Sequence, residues 1–175
     1  MTTTVTIPTL ETDRLILRAP RIGDFEGFAA FFASDRARYI SEGLTARQDI
    51  WRLFGNMAGM WVLRGFGMFV FERKSDSQVI GHGGPWFPIT HPEPELGWCL
   101  WQSADEGRGF AAEAIIRARR FAYDDLGWTT AVSYIHPENT RSIALAQRLG
   151  AVRDDAAARP GHADCRVYRH PKGAA

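Results

Sequence analysis

Between Glu95 and Leu126 the sequence passes from strand to helix through two glycines set two residues apart, and this unit constrains the fold most. "ELGWCLW", Glu95 to Trp101, is apolar and aromatic, as a strand packed in a sheet is. "DEGRGFAAEA", Asp105 to Ala114, then strips side chains from a short loop and begins an alanine-rich helix directly behind it. Ala114, Ile115, Ala118, Phe121, Ala122 and Leu126 form one helical stripe, and Gly127 supplies a stop. Glycine loses the most conformational freedom on folding, so its use here means that the backbone itself is needed. Two uses fit. One is a tight strand-to-helix turn; the other is an anion held on the exposed N–H groups of the helix start, where the dipole adds partial positive charge. Arg108, between the glycines, can add a charge-assisted bond to such an anion.

Other nucleotide loops fit less well. No G-x-x-x-x-G-K-[ST] string is present. "GRGFAA" resembles a dinucleotide fingerprint with Ala112 at the third glycine, but that fingerprint belongs to the first strand–helix unit of a parallel sheet. Here the loop follows a meander. "RLILRAP", Arg14 to Pro20, predicts a strand, and Phe25, Phe28, Ala29 and Phe32 predict a first helix. Thr45 and Gln48 form a capping box for a second helix bearing Ile50, Phe54, Met57 and Trp61, weakened by Gly55 and Gly59. "GMFVFER" and "VIGHGG" flank the polar turn "KSDSQ" as a hairpin, and "PWFPITHPEP" is a loop. After the glycine unit, "TTAVSYIH" predicts a strand and Asn139 caps a helix that runs to Leu149 and stops at Gly150. "AVRDD" and "CRVYRH" close the order β-α-α-β-β-β-α-β-α-β-β, an α/β mixed sheet with helices on its faces.

The 175 residues show no repeat or linker, which predicts a single domain over 1–175. A net charge of +1 gives no reason to expect nucleic-acid binding. Cys99, Cys165 and the five histidines lack metal-ligand spacing, so no metal is expected. The N-terminus lacks the plan of a signal peptide and no apolar run approaches ~20 residues, which predicts a cytoplasmic protein away from membranes.

Taken together, "LETDRLILRAPRIGDF", "ELGWCLWQSADEGRGFAAEA" and "HPENTRSIALAQRLGAV" resemble the GNAT N-acetyltransferases, in particular the branch that acetylates ribosomal-protein N-termini. The resemblance covers nearly the whole chain. It implies a mostly antiparallel, twisted sheet of about seven strands, splayed at the motif strands, with helices on both faces. It also implies acetyl-coenzyme A as co-substrate and an amine as acceptor, in a monomer or homodimer. The family's loop reads Q/R-x-x-G-x-G/A, and Glu106 stands at its first position, a carboxylate where pyrophosphate would bind. By resemblance the backbone of Gly107, Arg108, Gly109, Phe110, Ala111 and Ala112 holds the pyrophosphate. Ala112 replaces a Thr common in the family. The stretch Cys99, Leu100 and Trp101 pairs with the pantetheine arm, the Cys99 N–H facing the thioester oxygen. Asn139 and Ser142 match the N-x-x-S of a second cofactor-contacting helix, although Asn139 serves equally well as a plain cap.

Amine acetylation needs a base, because an ammonium of pKa about 8 to 10.4 must lose a proton. Glu95, four residues before Cys99, takes the position of a catalytic Glu in histone-acetylating relatives. Many relatives place an acidic tyrosine four residues before the terminal glycine of the last motif helix; Ala146 stands there. That leaves Tyr134, Ser133 or water to protonate the departing thiolate. His82 and His136 read as polar strand-end residues. The acceptor is either a protein N-terminus or a small amine. A noncatalytic coenzyme-binding module is the alternative.

Overall fold

The computed structural model describes residues 5–41, 44, 46–161 and 164–172. Among these described residues eight strands form one sheet in the order β1-β2-β3-β4-β5-β6-β8-β7. In sequence they are β1 (Leu10–Glu11), β2 (Leu15–Arg18), β3 (Phe69–Arg73), β4 (Val79–Trp86), β5 (Glu95–Leu100), β6 (Val132–Ile135), β7 (Val152–Arg153) and β8 (Arg166–Arg169). The helices are α1 (Phe25–Phe32), α2 (Arg47–Arg64), α3 (Phe110–Arg120) and α4 (Thr140–Arg148). The sheet has one strand more than the seven expected: β1 is only two residues long and pairs Leu10 with Leu17. Every neighbouring pair is antiparallel except β5 and β6.

Alternation along β3 divides the core. Phe69 and Phe71 pack with Ile115 and Ala118 of α3, whereas Val70, between them, packs with Phe28 of α1 and with Phe54 and Met57 of α2. The two helix pairs therefore occupy opposite faces, with α4 contributing Leu145 and Leu149 to the α3 side. Trp61 closes the far end of α2 by donating its indole N–H to the Met68 carbonyl at 3.1 Å. Gly55 and Gly59 have open space where a Cβ would project, so they cost α2 propensity without leaving a packing defect. The N-cap of α2 is Ala46; Thr45, half of the expected capping box, lies outside the described residues.

The helix expected to run unbroken to Leu126 changes character. Phe121–Asp125 is a π-helical turn, closed by Leu126 N–H to Phe121 C=O at 3.1 Å. It keeps Phe121, Ala122 and Tyr123 buried before Gly127, at φ +69°, ends the element.

Candidate active site

The site begins where β5 and β6 part. Glu95 and Val132 are the single paired position between these strands. Val132 N–H bonds the Pro94 carbonyl at 3.0 Å. One residue further the link is no longer backbone: Ser133 Oγ donates to the Leu96 carbonyl at 2.6 Å. Ser133 Oγ also lies 2.9 Å from Nε2 of buried His170, whose ring is held neutral by burial, its pKa lowered to about 4. Ser133 is thus a strut, with its hydroxyl spent inside the fold rather than free to act as an acid. Beyond it the strands diverge, and a cleft of about 880 Å³ opens.

Backbone alternation decides which groups of β5 face this cleft. On the other edge β5 runs antiparallel to β4, with Cys99 opposite His82 and Leu100 opposite Gly81. Trp101 N–H donates to the Ile80 carbonyl at 2.9 Å. In an antiparallel ladder every second residue directs both its backbone groups to the same neighbour. Cys99 therefore shares the orientation of Trp101, and both N–H groups turn toward β4. The expectation that the Cys99 amide faces a thioester is corrected by this register. The backbone groups turned to the β6 side belong to Leu96, Trp98 and Leu100, and the bond accepted by Leu96 from Ser133 agrees. Trp98 was absent from the sequence reading. The Cys99 thiol is itself inert, since burial, with Glu95 adding to it, raises its pKa to about 12.

At the far end of β5 the chain makes a short 3-10 turn, Ser103–Asp105, and enters the glycine loop. Gly107 and Gly109 have φ of +71° and +81°, the left-handed region that side chains resist. Gly109 is the N-cap of α3, and Glu113 N–H to Gly109 C=O, at 3.0 Å, is the first helical bond. The amides of Phe110, Ala111 and Ala112 are left without partners inside the helix. The loop is braced from the start of the chain. Glu113 accepts from Thr12 Oγ1 at 2.6 Å, from the Arg14 backbone N–H at 2.9 Å and from Arg14 Nε at 2.6 Å. Arg14 Nη1 also donates to the Arg108 carbonyl at 2.9 Å. Arg14 and Arg108 both lie on the Phe110 ring, 4.5 and 4.9 Å from its centroid. Phe110 itself is buried at the head of α3. The result is a cradle of N–H groups and glycine backbone rimmed by guanidiniums, which fits a diphosphate.

Glu106 sits in this cradle as a clamped carboxylate. Its Oε1 accepts from Arg36 Nη2 at 2.6 Å and its Oε2 from Arg141 Nη1 at 2.7 Å. Arg36 reaches on to the Leu100 carbonyl at 3.0 Å, on the cleft edge of β5. The negative charge that departs from the family loop is therefore matched by two cations, one from the segment after α1 and one from the start of α4.

Glu95 lines the cleft at the point of splay, its side chain 13% exposed and its Oε2 3.1 Å from His91 Nδ1. The His91 ring packs edge-on to Tyr134, with centroids 5.2 Å apart. Tyr134 also lines the cleft, and its buried hydroxyl makes no hydrogen bond of ordinary geometry among the described residues. Burial, then the charge of Glu93, raises the phenol to about 12, so it keeps its proton throughout the neutral range. His91 was missed by the sequence reading: it falls in a proline-rich loop with no periodicity, and its proximity to Tyr134 depends on how that loop folds back. His82 is not a strand-end residue. It is buried within β4, takes the Trp101 indole N–H on Nδ1 at 2.8 Å, and is kept neutral by burial at about 3. His136 stacks on Tyr39 at 5.0 Å between centroids.

Asn139 spends its side-chain oxygen on capping, accepting from Ser142 N–H at 3.2 Å, and both residues line the cleft. Ala146 faces away. It is fully buried against Ile135, Ala151 and Tyr168, a space that a phenol does not fit. Among the described residues no group of three or more His, Cys, Asp or Glu side chains is placed to hold a metal ion.

Residues 14–152 match the family model described as an acetyltransferase (GNAT) domain. An acetyltransferase from Agrobacterium tumefaciens, of known structure, is 34% identical, covers 98% of this chain and 99% of its own, and superposes with a TM-score of 0.89. The uncharacterized N-acetyltransferase YoaA of Bacillus subtilis is 26% identical over 150 residues, 82% of each chain. A structure described as a putative ribosomal-protein-serine acetyltransferase from Vibrio cholerae is 21% identical over 93% of this chain and 97% of its own. Its TM-score of 0.73 shows a shared fold.

Proposed function

The chain belongs to the GNAT acetyltransferase family and is an acyltransferase, and from that premise we propose that it moves the acetyl group of acetyl-coenzyme A onto a primary amine. The observation that carries this reading is the parting of β5 and β6 just beyond Glu95, with the amide cradle at Gly107–Ala112 following the far end of β5 in the chain. The diphosphate lies on that cradle, held by backbone N–H groups and by Arg108. Acetyl-coenzyme A supplies the activated acetyl group. Trp98 offers its backbone groups and Leu100 its N–H to the extended arm, as a neighbouring strand would, the Leu100 carbonyl being held by Arg36, and the Trp98 N–H takes the role that the resemblance gave to Cys99. Asn139 and Ser142 flank the arm from the start of α4.

Glu95 accepts the proton that the ammonium must lose, directly or through one water, and its position at the mouth of the splay motivates this role. The amine nitrogen then bonds to the acetyl carbon while the carbon–sulfur bond breaks, and the nitrogen releases its surplus proton to solvent to become the amide. Tyr134 gives its proton to the departing sulfur, a role supported by a phenol that lines the cleft and stays protonated at neutral pH. Glu95 and Tyr134 each return to their starting state by exchange with solvent.

The test is a pair of measurements on one preparation: calorimetric titration with coenzyme A, and thiol release from acetyl-coenzyme A in the presence of an amine panel. Binding together with amine-dependent thiol release is the expected result. Binding without release for any amine defeats the catalytic reading.

A further inference from the structure

Behind Glu95 the cleft continues into a chamber under the first two helices. Phe28 of α1, Leu53 and Met57 of α2, and His82 and Trp86 of β4 line it, and Glu95 stands at its edge. Register explains the arrangement. Trp86 lies opposite Glu95 and His82 opposite Cys99, so these side chains share the face of the sheet that α1 and α2 cover. Between them is Gly97. A Cβ there would come within 2.6 Å of Met68 Cε, so the methionine methyl lies directly on the strand backbone and completes an apolar floor. His82 adds no charge: its Nδ1 is occupied by the Trp101 indole at 2.8 Å and its ring packs 5.2 Å from that of Phe28.

We propose that the acceptor is a primary amine carrying a bulky aromatic or aliphatic group beside its amine carbon, with the nitrogen at Glu95 and that group in this chamber. The inference rests on the acetyl-transfer reading above and narrows it. A single carboxylate at the edge of an apolar chamber matches a molecule with one ammonium and one apolar end. A polyamine would bring a second cation among these apolar walls, which is costly, since the other carboxylate that lines the cleft, Asp164, belongs to the segment before β8 and not to the walls under α1 and α2. An N-terminal serine or alanine would leave the chamber walls uncovered and gain nothing from them. Met57 and Met68 line a pocket that can adjust to the shape of the group. The same chemistry is offered by a free arylalkylamine and by a peptide whose first residue is Phe or Leu.

The experiment compares kcat/KM at one pH for 2-phenylethylamine, spermidine, a Phe-initiated peptide and the matching Ser-initiated peptide. Saturation-transfer NMR of 2-phenylethylamine, with coenzyme A bound, reads chamber occupancy without turnover. At least one apolar acceptor is expected to exceed both spermidine and the Ser peptide by about 30-fold, a factor within reach of a well-filled apolar pocket. Which of the two does so identifies the source. Leu53 is half-buried at the chamber wall, so Leu53→Asp, with Leu53→Gln as the milder variant, is expected to cut that preference about tenfold and weaken the NMR signal. Equal or better turnover of spermidine or the Ser peptide overturns the proposal, as does an NMR signal indifferent to both Leu53 variants. Leu53-dependent binding with no transfer to any amine supports the chamber and sinks the acetyl-transfer reading instead. Absence of both binding and transfer overturns the two together.

Discussion

Replacing Gly109 with alanine separates the cost of a strained backbone from the loss of a ligand. Gly109 has φ +81°, and an L-residue held there costs roughly 1–2 kcal/mol. The added Cβ would meet a single neighbour, Arg14 Nη2 at 3.3 Å, on a half-exposed guanidinium that needs to shift only a few tenths of an ångström while keeping its bonds to Glu113 and the Arg108 carbonyl. Packing therefore adds little to the backbone term. For a chain of this size, such a loss lowers the unfolding midpoint by about 2–8 °C. Gly127, at φ +69° with open space around its Cβ position, is the matched control, because alanine there carries the same backbone term far from the cradle. The two variants differ in what the methyl obstructs. At Gly109 it enters the space beside Arg14 and the free amides, where a diphosphate must approach. A loss of at least about 30-fold in coenzyme A affinity, or ~2 kcal/mol, is expected there, and none for Gly127→Ala. Urea unfolding measures the first term, and calorimetric titration near 15 °C, with all proteins folded, measures the second. If the Kd of Gly109→Ala lies within threefold of that of Gly127→Ala, the cradle does not hold phosphate and the assignment of the loop falls.

Glu95→Gln is expected to lower kcat by about 10²-fold with the Kd for coenzyme A little changed; a loss below threefold from pH 6 to 9 removes Glu95 as the base. Tyr134→Phe should cost roughly tenfold or more in kcat. Because the phenol titrates at about 12, the wild-type pH–rate profile should show no loss from its ionisation below about pH 10. Glu106→Gln releases Arg36 and Arg141 from a carboxylate and removes a negative charge beside the cradle, so coenzyme A should bind several-fold tighter at low salt. Weaker binding would show instead that Glu106 holds the two arginines in place. His82 and His170 titrate at about 3 and 4 in the folded chain but near 6.5 unfolded, so the unfolded state takes up more protons below that value. Their contribution is complete above pH 6.5 and is lost as pH falls toward 4, by about 1.4 kcal/mol per pH unit for each histidine. Urea midpoints between pH 7 and 4.5 that fall no faster in wild type than in His170→Gln would contradict this account.

The strand, the glycine loop and the helix behind it are legible because each leaves a local mark: apolar alternation, two residues without side chains, and a 3.6-residue stripe. Asn139 was equally legible as a cap, since the side chain of a cap bonds within its own first turn. The facing of β5 was not. Side-chain alternation tells which residues share a face, but the direction of a backbone amide in the plane of the sheet depends on which partner residues exchange hydrogen bonds. Only the pairing of Trp101 with Ile80 shows that Trp98 and Leu100, rather than Cys99, turn toward the cleft. The clamp on Glu106 was hidden for a related reason. Its partners lie 70 and 35 residues away, and from sequence alone the carboxylate stands unopposed. β1 was overlooked because two residues carry no period. The surroundings of Ala146 were not legible either, because its buried neighbours Ile135, Ala151 and Tyr168 come from other elements.

The bonds from Thr12 and Arg14 to Glu113 have a consequence for the order in which the protein is completed. They join positions 99 to 101 residues apart, so the first strands of a nascent chain wait for most of the molecule to be synthesised before they meet α3. Contacts this distant in sequence are among the slowest to form, because the loop must close before they repay its entropy. The coenzyme cradle should therefore be a late acquisition, assembled after the β3–β4 hairpin and α3 have settled. Pulse-labelled hydrogen exchange can check this, since the amides of β3 and β4 should gain protection before that of Arg14. A fold that finishes its ligand site last exposes that site to ligand only when the rest is in place, and coenzyme then acts as a latch on the final closure.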